Sequence, residues 1–181
     1  MKNKMIIASI VFSIAMLFGN QVDAQNFSSL DKSPLDVASY PSSYRESNKL
    51  VKIVYSRPQL KGRSVAKLTK GGQVWRFGAN ESAEITFYTD MKLDGKTIKA
   101  GSYSVAAITG EKEWTIIINT AVNGWGSYSY DEANDVARIT VPVTKASESL
   151  EAFSIAFEES DNGTHMHLGW GEDRVAVPFT K

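Results

Sequence analysis

The sequence predicts an all-β protein: an antiparallel β-sandwich or jelly-roll-like single domain after a signal peptide. Three observations predict it. From Leu50 onward, short β-branched and aromatic runs alternate with turn signals about every 10 residues. Hairpin-forming segments, Asp94-Gly95 and Asp161-Asn162-Gly163, fall between such runs. No stretch carries a convincing helical period, and only residues around Ala146 to Leu150 suit a helical turn.

Residues 1–24 read as the signal peptide. Lys2 and Lys4 precede an apolar run from Met5 to Phe18, which is shorter than the roughly 20 residues a membrane-spanning helix needs. Val22-Asp23-Ala24 offers slender side chains at the first and third positions, so cleavage is expected after Ala24. No cysteine follows to accept a lipid, and no later stretch is long and apolar enough to span a bilayer. Residues 25–49, rich in Ser, Asp and Pro, read as an extended lead-in to a domain over 50–181.

Within that domain the strands follow in order. Val51, Ile53 and Tyr55 alternate with Lys52 and Val54, and Ile85 and Phe87 alternate with Glu84 and Thr86. Tyr103, Val105 and Ala107 pair naturally with Trp114, Ile116 and Ile118 across the turn from Thr109 to Lys112. Four more strands are expected over 136–143, 153–157, 166–170 and 175–179. Two packed antiparallel sheets are the economical way to bury this many strands.

Composition excludes several functions. Removing 1–24 leaves 18 basic against 19 acidic residues, with no basic excess for nucleic acid. The absence of cysteine excludes disulfides, thiol catalysis and thiolate metal sites, and favours a bacterial periplasm. No nucleophile elbow, phosphate-binding loop, dinucleotide fingerprint or His-Glu-x-x-His is present, so no cofactor is expected.

The densest polar chemistry lies in Tyr55-Ser56-Arg57-Pro58-x-x-Lys61-Gly62-Arg63 and Trp75-Arg76-Phe77-Gly78-Ala79-Asn80-Glu81. Arg57, Arg63, Arg76, Asn80 and Glu81 can build an anion or sugar site, because guanidinium forks match planar oxygen pairs. They equally suit an internal Arg–Glu network tying strand ends together. Glu81 as a general acid or base lacks a partner carboxylate fixed by spacing.

These two blocks, with Lys96-Thr97-Ile98-Lys99-Ala100-Gly101-Ser102-Tyr103, resemble the exported bacterial family known as domain of unknown function 2911. Trp114-Thr115-Ile116-Ile117, Tyr130-Asp131, Asp135-Val136 and Trp170 extend the resemblance over roughly Asp36 to Phe179. It implies secretion and a β-sandwich-like fold, and it brings no established activity. The chain departs from the family at Thr164-His165-Met166-His167, where the family is apolar.

His165 and His167, two apart on one strand, share a face and could chelate a metal given a third ligand. A solvent-facing pair fits the same pattern. Trp125, between Gly124 and Gly126 and near Tyr128 and Tyr130, can present an aromatic platform to a sugar ring or plug an end of the sandwich. Three functions stay open: a non-enzymatic binding or accessory module for a glycan or small anionic ligand, a carbohydrate-active hydrolase using Glu81, and an envelope protein–protein interaction domain.

Overall fold

The computed structural model describes residues 25–181. The signal peptide expected over 1–24, with its cut after Ala24, lies outside the described residues. The described residues divide into two units, 25–30 and 31–181. In the first, the described residues 25–30 adopt neither helix nor strand.

The second unit is almost entirely antiparallel β-structure. Its elements are β1 (Leu35–Tyr40), β2 (Val51–Ser56), α1 (Val65–Thr69), β3 (Val74–Trp75), β4 (Ala83–Phe87), β5 (Met91–Leu93), β6 (Lys96–Ile98), β7 (Gly101–Thr109), β8 (Glu113–Asn119), a 3-10 turn (Glu132–Asn134), β9 (Asp135–Ser160) and β10 (Gly163–Thr180). The hydrogen-bonded order is β1-β2-β4-β7-β8-β9-β10-β5-β6, with β3 beside β7. Alternation places side chains as expected: Val51, Ile53 and Tyr55 of β2, and Ala83, Ile85 and Phe87 of β4, are all buried.

Two long strands turn this path into a sandwich-like domain. β9 pairs with β8 through residues 135–142, then with β10 through residues 143–160. Extended straight, the 18 residues of β10 would separate its ends by roughly 60 Å. Instead, Lys181 N donates to the Asn162 carbonyl at 2.9 Å, so β10 curls back on itself. Register shifts on either side of Gly171, left-handed at φ 56°, supply the bend.

The layers meet in an aromatic core. Tyr55 meets Phe153 edge-on at 5.6 Å, Trp75 stacks on Trp170 at 5.5 Å, and Phe87 packs on Phe179 at 5.4 Å. Each pair joins strands that are not neighbours in the hydrogen-bonded sheet order.

Three local features differ from the sequence reading. Residues 146–150 are extended within β9 and form no helical turn; Arg174 Nη2 donates to the Glu148 carbonyl at 2.7 Å and holds them beside the β10 bulge. The helix lies elsewhere: α1 is capped by Ser64, whose Oγ accepts from Lys67 N at 3.2 Å, and it ends at left-handed Lys70. Within residues 25–49, β1 pairs with β2 from Leu35↔Ser56 to Tyr40↔Val51.

Candidate functional site

The Trp75-to-Glu81 block is a tight coil. Trp75 and Phe77 both send their rings into the core, with centroids 5.8 Å apart. Trp75 Nε1 donates to the Gly78 carbonyl at 3.0 Å, and Phe77 (φ 59°) and Asn80 (φ 62°) are left-handed. A bulky aromatic residue rarely adopts that conformation, and such strain concentrates at functional sites. The coil also grips the aromatic loop. Gly126 N donates to the Asn80 carbonyl at 2.9 Å, and Ser82 N donates to the Gly124 carbonyl at 2.9 Å. Ser82 Oγ donates to the Gly126 carbonyl at 2.5 Å, and Glu81 bridges Trp125 through the backbone.

Arg76 projects from this coil, and its Nε is buried without an acceptor among the described residues. It lines two cavities. The inner one, about 40 Å³, is shared with Ser104, Asn119, Ser127, Ser129 and Tyr130. The outer cleft, about 480 Å³, adds Lys32, Lys61, Arg63, Gln59 and Asn80. Four cationic side chains and no carboxylate line that outer cleft. Beside Lys32, the Asp31 carboxyl is held below its ordinary range, first by the Ser33 backbone N–H and then by the Asn80 side chain.

The cleft thus brings together Arg63, Arg76 and Asn80 of the residues singled out by sequence. Arg57 stands apart: Nε donates to the Phe153 carbonyl at 3.0 Å, Nη1 to Asp36 at 3.0 Å and Nη2 to Ser154 Oγ at 2.7 Å. It ties β1 and β2 to β9. Glu81 is exposed and lines neither Arg76 cavity. Trp125 is 60% exposed, so its ring is a surface feature and does not plug the sandwich.

His165 and His167 have ring centroids 5.9 Å apart. His165 sits opposite Glu158, whose carboxylate lies 3.4 Å from His167 Nε2. Among the described residues no group of three His, Asp or Glu is placed to hold a metal ion. Met166, Leu168 and Trp170 fill the core from the opposite face of β10.

Sequence reasoning misses a network behind the inner cavity. Tyr130 Oη donates to Asp135 at 2.8 Å and lies 2.5 Å from Arg138 Nη2. Arg138 Nε donates to the same carboxylate at 2.5 Å, and Asn119 Nδ2 donates to its other oxygen at 2.8 Å. Burial, then the bond to Asp135, pushes the Tyr130 phenol up to about 12. The available signal was the Tyr130-Asp131 and Asp135-Val136 part of the family resemblance.

A protein-family model described as "Protein of unknown function (DUF2911)" matches residues 33–179. No curated protein and no solved structure matches the chain.

Proposed function

The chain belongs to the DUF2911 family, and from that premise we propose a non-enzymatic binding module, exported to the periplasm or beyond, that holds a small anionic ligand. The single observation carrying this reading is the cleft where Arg76, with a buried and unpartnered Nε, stands with Lys32, Lys61 and Arg63. A guanidinium N–H buried without an acceptor is unfavourable, and Arg76, half-buried at the wall of the cleft, keeps its charge where an anion can meet it. Clustered cations in a concave, partly desolvated wall also concentrate anions near them. Export rests on the apolar run from Met5 to Phe18 and the Ala24 cut.

Isothermal titration at low ionic strength with sulfate and with galacturonate tests the binding reading. Saturable heat is expected, weakening about tenfold in Arg76→Ala and fading as sodium chloride is added. Absence of saturable heat for either anion, or an Arg76→Ala variant that binds like the parent, would overturn it. An intact mass beginning at Gln25 is the expected sign of export.

Glycan binding is a second reading, favoured by Trp125 and Tyr128, which are 60% and 90% exposed on the loop latched to Asn80. A glycan array comparing the parent with Trp125→Ala tests it. A signal that survives the substitution removes this loop from consideration.

A further inference from the structure

The anion cleft and the aromatic loop share a wall. Arg76 lines the outer cleft with Asn80, and it lines the inner cavity with Gly124, Gly126, Ser127 and Tyr130 of the loop. Three bonds fix the loop against this wall. Gly126 N donates to the Asn80 carbonyl and Ser82 N to the Gly124 carbonyl, both at 2.9 Å, and Asn123 N donates to Glu84 Oε1 at 2.6 Å. Glu81, next in the chain after Asn80, bridges Trp125. One bridge and one peptide step place the Trp125 Cα within about 9 Å of the Asn80 Cα. Cleft and indole are therefore within reach of two linked sugar rings.

The aromatic side of this tract is preorganised. The Tyr128 ring lies over Gly126, where a Cβ would come 2.9 Å from Tyr128 Cδ2 and Cε2. Glycine, left-handed here at φ 69°, is what lets the ring settle there. Trp125 is exposed, whereas the other three tryptophans, Trp75, Trp114 and Trp170, are buried in the core. Rings presented on an anchored loop suit the C–H faces of sugars.

Charge divides along the same tract. The outer cleft is lined by Lys32, Lys61, Arg63 and Arg76. At the loop end, Glu81 is exposed and stands directly opposite Trp125 in the bridge, so the two Cβ atoms are about 5 Å apart. The carboxylates nearby are engaged: Asp31 accepts from Ser33 N at 2.6 Å, and Glu84 from Asn123 N. An acidic group is favoured in the cleft and disfavoured beside Trp125, where an uncharged ring fits.

We propose that cleft and loop form one site for an acidic oligosaccharide in which a uronate adjoins a neutral sugar. The carboxylate sits among the cleft cations, and the neutral ring stacks on the aromatic loop. This rests on the anion reading of the cleft and extends it to the loop. Linking the two halves of the ligand makes the second contact intramolecular, so the whole binds more tightly than either half.

The probe is hyaluronan tetrasaccharide, in which glucuronate alternates with N-acetylglucosamine, compared with glucuronate alone and with neutral chitotetraose. Binding is read by isothermal titration at low ionic strength and by acrylamide quenching of tryptophan fluorescence. Quenching reports on Trp125, because the other three indoles are buried. The tetrasaccharide should bind about tenfold more tightly than glucuronate and protect Trp125 from quenching. Glucuronate should bind without protecting it. Trp125→Ala should bring the tetrasaccharide down to the affinity of glucuronate and leave glucuronate unchanged. A tetrasaccharide no tighter than glucuronate overturns the proposal. So does a Trp125→Ala variant that binds it like the parent, or chitotetraose binding as tightly. If glucuronate still binds through Arg76 in those cases, the anion reading of the cleft stands; if neither glucuronate nor sulfate binds, both fall.

Discussion

Tyr130 is where a single side chain most clearly reports its surroundings. Its phenol ionises near 10 in an unfolded chain, and burial followed by the Asp135 bond raises that to about 12 in the folded protein. The folded state therefore favours the protonated phenol. This contribution is complete below pH 10 and is lost as pH climbs from 10 through 12. Urea-unfolding curves across that window should show stability falling more steeply with pH in the parent than in Tyr130→Phe. Equal alkaline slopes would remove Tyr130 from the network's energetics. Other tyrosines with raised values, Tyr40 and Tyr55, are common to both proteins and cancel in the comparison. At this scale sequence is a partial guide. The arginine blocks were visible as chemistry, but sequence could not separate Arg57, whose donors are engaged by Phe153, Asp36 and Ser154, from Arg76, whose Nε has no partner. That difference depends on contacts nearly 100 residues apart along the chain.

Among the elements, the strands with one buried face were legible because period-2 alternation survives in Val51, Ile53, Tyr55 and in Ala83, Ile85, Phe87. β1 was not, because its apolar Leu35 and Val37 point outward, 66% and 55% exposed, while Asp36 turns inward to meet Arg57. The pairs of runs over 136–143 and 153–157, and over 166–170 and 175–179, each belong to one strand. Their interruptions are polar or bulged stretches that stay extended because the partner strand holds them. The β10 curl makes a specific demand on Gly163. With φ at 155°, a Cβ there would lie 2.0 Å from the Phe179 carbonyl oxygen and 2.9 Å from Thr180 Cα. Both neighbours are backbone and cannot swing aside. Gly163→Ala should cost about 2–4 kcal/mol. Gly95→Ala, at φ 75° in open space, should cost only the left-handed penalty of about 1 kcal/mol. Urea midpoints of the two variants compare these directly, and similar losses would show that the close approach at Gly163 relaxes.

For the whole sandwich-like unit, the question is whether its layers are separable. β9 pairs first with β8 and then with β10, so one covalent strand belongs to both layers. Trp75 and Trp170 stack across the interior at 5.5 Å, and Phe153 packs against both, 5.1 Å from Trp75 and 5.8 Å from Trp170. Loss of either layer would expose this cluster and also strip half the hydrogen bonds from β9, so partial unfolding is unfavourable on two independent counts. Trp170, fully buried, is the side chain that couples them. Trp170→Ala should destabilise the protein by about 3–5 kcal/mol through lost burial and the cavity left behind. The transition should nonetheless stay single, because β9 and β10 still run through both layers. The check is a urea titration of the variant followed by tryptophan fluorescence and far-ultraviolet circular dichroism on the same samples. Coincident curves with a lowered midpoint are the expected outcome; a fluorescence transition that precedes the loss of β-structure would mean that the stack, and not the shared strands, makes the two layers one cooperative unit.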